Sequence, residues 1–184
     1  MNIRYYLSLP PEKTADEVCK LFVKIRSFCL DRPFFDIGPM KEADTNIVGH
    51  HRNLIEETFP DQFFRHLSPS YMIGFAANLG NAETPNPMQM FLFEYPAYNG
   101  NAVPWFFYGS CSSCDECPDD LFVHRHLAAI SALDYAKQLG MEVEVKDSGG
   151  YWKHRNRTEL IELRHLLSDN ILFGKVNEKL KEIL

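Results

Sequence analysis

Between Tyr71 and Ser110, three apolar, aromatic segments follow one another with joints too short to hold a helix. Tyr71, Ile73, Phe75, Ala77 and Leu79 fall at alternate positions, the period of a strand with one face buried. Gly80-Asn81 and Pro85-Asn86-Pro87 then interrupt the chain. Met88 to Tyr95 and Trp105 to Ser110 read as the next two strands, with Pro96-Ala97-Tyr98-Asn99-Gly100-Asn101 between them. A parallel connection needs a crossover of a dozen residues or more, so these three strands form an antiparallel meander.

The N-terminal segment adds a β-α unit. Ile3, Tyr5, Leu7 and Leu9 alternate with Arg4, Tyr6 and Ser8, and Pro10-Pro11 ends the strand. Thr14-Ala15-Asp16-Glu17 then has the form of a capping box. Val18, Leu21, Phe22, Ile25 and Phe28 fall on one face of the helix behind it, and Asp31-Arg32-Pro33 stops that helix. Further on, Phe34-Phe35-Asp36-Ile37 reads as a short strand, Gly38-Pro39 as a turn and Arg52 to Phe59 as a short helix. The longest helix is expected from about Asp120 to Leu139, with Gly140 at its left-handed end and Asp119 or Asp120 as its cap. Met141 to Lys146 is a strand, Asn156-Arg157-Thr158-Glu159 caps a further helix, and residues 175–184 form a last one. The sum is one α+β domain over residues 1–184. Its sheet is mostly antiparallel or mixed, amphipathic helices cover one face, and the first and last strands are placed centrally.

Charge narrows the partners. The chain has 19 basic and 25 acidic side chains, a formal charge of −6, and no basic tail. Nucleic acid and anionic membranes both favour a basic footprint, so neither is expected as a partner. The N-terminal apolar run is too short for a signal peptide, and no stretch approaches the ~18 apolar residues of a membrane span. A soluble, cytosolic protein with reduced cysteines follows as the expectation.

Two stretches carry potential chemistry. Cys111-Ser112-Ser113-Cys114-Asp115-Glu116-Cys117 has the two-residue gaps that let thiolates converge on zinc or iron. A ferredoxin-type run would need a fourth cysteine where Leu121 stands. His124 and His126 diverge by about 200° on a helix, so at most one can join, and His124 is the candidate beside Cys111, Cys114 and Cys117. Asp115, Glu116, Asp119 and Asp120 disfavour thiolate while attracting a cation. The competing expectation is a solvated acidic loop between strand and helix. Cys19 and Cys29 read as core residues. His50, His51 and His66 have no metal-ligand spacing.

The second stretch is Asp147-Ser148-Gly149-Gly150-Tyr151-Trp152-Lys153-His154-Arg155-Asn156-Arg157. It sits between a strand and a helix, where α/β proteins place ligand loops. Lys153, Arg155 and Arg157 form the densest basic cluster in the chain, and Tyr151 and Trp152 offer area for stacking. Asp147, Tyr151, Trp152, Lys153, Arg155 and Arg157 are therefore the candidate ligand-binding residues, for a small anion or an acidic protein surface. No phosphate loop, nucleophile elbow or split carboxylate pair is present, so the reading is a non-catalytic binding protein. A zinc protein and a small enzyme acting on an anionic substrate are the alternatives.

Overall fold

The alternation at the N-terminus produces a strand whose inward residues, Ile3, Tyr5, Leu7 and Leu9, are all buried. This is β1 (Asn2–Leu9) of a computed structural model that describes residues 1–44, 69–80, 85–112 and 117–167. It is followed by α1 (Ala15–Leu30), β2 (Asp36–Ile37), β3 (Lys41–Asp44), β4 (Tyr71–Asn78), β5 (Pro87–Glu94) and β6 (Trp105–Ser112). Then come α2 (Asp119–Gln138), β7 (Glu142–Asp147), the single-turn α3 (Tyr151–His154) and a helix over 157–167, here α4. The helix expected at Arg52 to Phe59, the histidines at 50, 51 and 66, Cys114 and the helix at 175–184 lie outside the described residues.

Among the described residues the strands form one antiparallel, seven-stranded sheet in the order β2-β4-β5-β6-β1-β7, with β3 also on β4. The meander β4-β5-β6 matches the expectation from the short joints. β2 and β3 are two pieces of one edge along β4, pairing with its Asn78–Ala77 and Gly74–Tyr71 stretches. Gly38-Pro39 separates them, since proline cannot donate to the ladder. One expected placement is corrected in part: β1 lies inside the sheet between β6 and β7, but among the described residues β7 is an edge strand, antiparallel to β1, and not central.

Both long helices cover the same face of the sheet. Phe22 of α1 meets Phe75 of β4 edge-on at 6.3 Å, and Phe28 of α1 stacks on Tyr135 of α2 at 4.2 Å. Val18, Phe22, Ile25 and Cys29 are the buried face of α1, while Phe122, Ala129, Ile130, Leu133 and Ala136 are buried along α2. Each large side chain so buried contributes roughly 1.5–3 kcal/mol relative to exposure. Gly109 lets this layer close: the Tyr5 ring lies over it, and a Cβ there would stand 2.4 Å from the ring. Tyr5 thereby crosses β6 and donates its hydroxyl to the Gln89 carbonyl at 2.7 Å. Among the described residues no helix is long and apolar enough to cross a membrane.

The α1 capping box forms as its spelling predicts. Thr14 Oγ1 accepts from the Glu17 amide at 3.3 Å, and Glu17 Oε2 accepts from the Thr14 amide at 3.0 Å. The cap expected for α2 is corrected. Pro118 occupies the N-cap position without a side-chain bond, and Asp119 and Asp120 lie in the first turn, where a carboxylate still complements the helix dipole. Asp119 bonds Arg164 and lies 2.9 Å from His165 Nε2, so it ties α4 to the start of α2. Asn156 caps α4, its side-chain oxygen accepting from the Thr158 amide at 3.0 Å.

Candidate functional site

Register decides which side chains meet at the edge of the sheet. Arg4 of β1 stands opposite Lys146 of β7, so two cations share a row on the face away from the helices. Two positions further on, the Asn2 amide donates to Ser148 Oγ at 2.9 Å and the Ser148 amide donates to the Asn2 carbonyl at 3.0 Å. These bonds carry the β1–β7 pairing into the turn that leads to α3. Beside that turn lies an open pocket of about 530 Å³. Arg4, Lys146, Lys153 and His154 line it together with Asn2, Ser148 and Trp152.

The turn is built around Asp147. Its Oδ1 accepts from the Gly149 amide at 2.7 Å, and its Oδ2 accepts from the Trp152 amide at 2.9 Å. His126 Nε2 from α2 reaches the same Oδ2 at 3.1 Å. Both side chains are sealed, at 0% and 1% exposure. Burial raises the Asp147 pKa, but His126 and the two amides outweigh it and hold the carboxyl below its usual range. Gly150 takes φ +69°, a left-handed geometry that suits glycine, and so carries the chain from β7 into α3. A Cβ on Gly149 would approach the Leu160 methyl to 2.5 Å, so that glycine lets α4 close over the turn.

The structure separates the six candidate ligand residues into three groups. Trp152 and Lys153 line the pocket, Trp152 half-buried and Lys153 exposed. Asp147 also lines it, though with its carboxylate sealed, and Tyr151 supports it from behind. Asp147 spends its oxygens on the turn and on His126, and the Tyr151 ring packs edge-on to the His126 ring at 6.1 Å. Arg155 is committed elsewhere: its two terminal nitrogens bond Asp134 at 2.8 and 2.7 Å, and its guanidinium lies 4.8 Å above the Trp152 ring. Arg157 is exposed in α4 and does not line the pocket.

Asn2, Arg4, Lys146 and His154 are among the lining residues from outside the expected set. Asn2 and Arg4 belong to the first strand and reach the site only through pairing with β7, 140 or so residues along the chain. Lys146 alternates outward on β7, and His154 follows Lys153 in α3. A signal for Lys146 and Arg4 exists in the strand alternation, once the two strands are known to be neighbours. Among the described residues, none of Arg4, Lys146, Lys153 and His154 forms an ion pair with a carboxylate. That contrasts with Arg155 and Arg164, both paired.

The cysteine run departs from an all-loop segment. Cys111 and Ser112 complete β6, and Cys111 is buried with its thiol pushed up to about 12, by burial first and by the Asp147 charge second. Such a thiol is neither a ready ligand nor a nucleophile. Cys117 is half-buried, with its carbonyl bonded by Arg164, and His124 points outward from α2 into solvent. It is His126, not His124, that α2 turns inward. Among the described residues no three His, Cys, Asp or Glu side chains gather as a metal would require. Cys19 is a half-buried residue donating to Glu42 at 3.0 Å, and Cys29 is in the core.

The sheet edge thus joins an indole, hydroxyl and amide groups, and cations that form no ion pair among the described residues, around an open pocket. No family model, curated protein or solved structure matches this chain.

Proposed function

We propose that this chain is a non-catalytic binding protein for a small anion or an anionic group, held at the β1–β7 edge by Arg4, Lys146 and Lys153 beside Trp152. The observation that carries the reading is the gathering of these cations, without carboxylate partners among the described residues, around one pocket of a chain whose net charge is −6. Like charges left together cost free energy unless an anion arrives to offset them. Ser148 and Asn2 add hydrogen-bonding groups, and the half-buried indole supplies contact area at low entropy cost. The His–Asp pair next to the pocket, His126 with Asp147, is sealed behind the turn, which favours binding over catalysis at this pocket. A reducing, cytosolic setting belongs to the same reading, since Cys19, Cys29 and Cys111 are free thiols.

The test uses protein labelled with 5-fluorotryptophan. Trp152 lines the pocket, whereas Trp105 is buried at the other end of β1, opposite Leu9. Inorganic phosphate and citrate are titrated in turn while both fluorine resonances are followed. The expected result is a saturable shift of the Trp152 signal with the Trp105 signal fixed. Replacing Arg4, Lys146 and Lys153 together by Gln should weaken binding about tenfold, because exposed charges contribute roughly 0.3–1 kcal/mol each. A Trp152 resonance that neither anion moves overturns the reading.

A further inference from the structure

We propose that His126 is a positioning residue for this pocket: through Asp147 it fixes where Trp152, Lys153 and His154 stand relative to Arg4 and Lys146. The inference deepens the anion-binding reading and rests on it for its effect on affinity.

The pocket has two walls of different origin. Arg4 and Lys146 stand on paired strands, and the ladder between them fixes their spacing. Trp152, Lys153 and His154 stand on a single helical turn with no buried residue of its own. A turn that short cannot hold itself in water, since one or two hydrogen bonds do not offset the backbone entropy. Its position must be imposed from outside. The Asp147 carboxylate supplies one link, because it takes the Trp152 and Gly149 amides onto the end of β7.

Those two amides tie the carboxylate only to its own turn. His126 ties it to the helix layer by donating to Oδ2, the same oxygen that takes the Trp152 amide. The acceptor selects the tautomer with hydrogen on Nε2. His126 itself is held by α2, whose flanking residues Phe122, Ala129 and Ile130 are buried to 1% or less. A second contact leads the same way: the imidazole packs edge-on against Tyr151, the first residue of α3. The helix layer therefore grips the turn at two adjacent residues, and the three pocket residues of α3 follow directly. A group placed on a rigid element and acting through one hydrogen bond is how a binding site gains pre-organisation.

The test compares two substitutions of similar polarity and different reach. His126→Gln places an amide donor near the position of the imidazole Nε2, whereas His126→Asn falls short of Asp147. Three measurements are made on the full chain: the fluorine shift of Trp152 under inorganic phosphate, the hydrogen-exchange protection of the Trp152 and Gly149 amides, and the urea midpoint. His126→Gln should keep phosphate affinity within about twofold of the parent and keep both amides protected. His126→Asn should lose at least fivefold in affinity and tenfold in protection of those two amides. Should His126→Asn fail to fold, His126→Leu replaces it as the variant that fills the space without a donor. Equal affinity and equal protection in the reaching and non-reaching variants overturn the proposal. If phosphate fails to bind even the parent protein, the pocket reading falls. The amide protection still decides whether His126 holds the turn.

Discussion

Asp147 shows how one residue can carry a local structure at the wall of a pocket. Its carboxylate takes three donors in a sealed space, from His126, Gly149 and Trp152. Asp147→Ala would leave those donors without their acceptor, and an uncompensated buried network of this kind costs about 3–5 kcal/mol. The pH dependence has a definite sign. The folded carboxyl titrates below its unfolded value of about 3.9, so its stabilisation is complete above that value and is lost as the pH falls through the folded pKa. Urea midpoints for the parent and Asp147→Asn should therefore differ most at neutral pH and converge in strong acid. A gap that stayed constant down to pH 2 would mean the carboxylate charge is irrelevant. The run Asp147-Ser148-Gly149-Gly150 singled this residue out in the sequence, and an Asp before glycines is equally the mark of a side chain that bonds its own turn. Its partner His126 stands 21 residues earlier on a different element. The one local difference from His124 is helical spacing: Phe122, Val123, Ala129, Ile130 and Leu133 share the face of His126, which α2 turns inward while His124 stays in water.

Elements announced by strong local chemistry were legible in the sequence. The α1 start is one: the Thr14–Glu17 box is written in four residues and forms in full. Thr14→Ala should lower stability by about 1 kcal/mol, and Thr14→Ser should restore most of it, measured as shifts of the urea midpoint. An unchanged midpoint in Thr14→Ala would mean that packing of Phe22 and Ile25 alone fixes the helix start. The meander was legible for a different reason, because short joints leave no room for anything but antiparallel pairing. β3 was not. Lys41-Glu42-Ala43-Asp44 has neither β-branched residues nor apolar alternation, and it is extended only because β4 offers it a free edge. The same holds for the place of β7. Val143 and Val145 mark it as a strand, yet its position beside β1 comes from tertiary pairing that no periodicity encodes. Since the pocket is made at that pairing, the half of it contributed by Arg4 and Asn2 was out of reach, while Trp152 and Lys153 were within it.

At the scale of the molecule, the chain is closed by its first strand. β1 pairs with β6 through eight registered positions and with β7 through six, so segments more than a hundred residues apart depend on it. α2 crosses this arrangement, packing on α1 through Tyr135 and gripping the β7 turn through His126. A small second cluster of Met1, Phe122, Val123 and Leu160 fastens α4 to the same region. The two tryptophans sit at opposite ends of this framework. Trp105 donates its indole hydrogen to the Lys13 carbonyl at 2.9 Å, ahead of α1, whereas Trp152 stands in the turn after β7. If β1 couples both ends, neither can open alone without breaking a ladder and exposing Ile3, Tyr5 or Leu7. The two 5-fluorotryptophan resonances should therefore lose their folded intensity at the same urea concentration, and far-UV circular dichroism should follow the same curve. Long-range pairing of this kind also makes folding slow, on the order of milliseconds to seconds. An earlier transition at Trp152 would identify the β7–α4 end as a separate unit resting on the meander. The pocket would then be assembled by docking of that unit, and anion affinity would disappear at urea concentrations where Trp105 still reports a folded sheet.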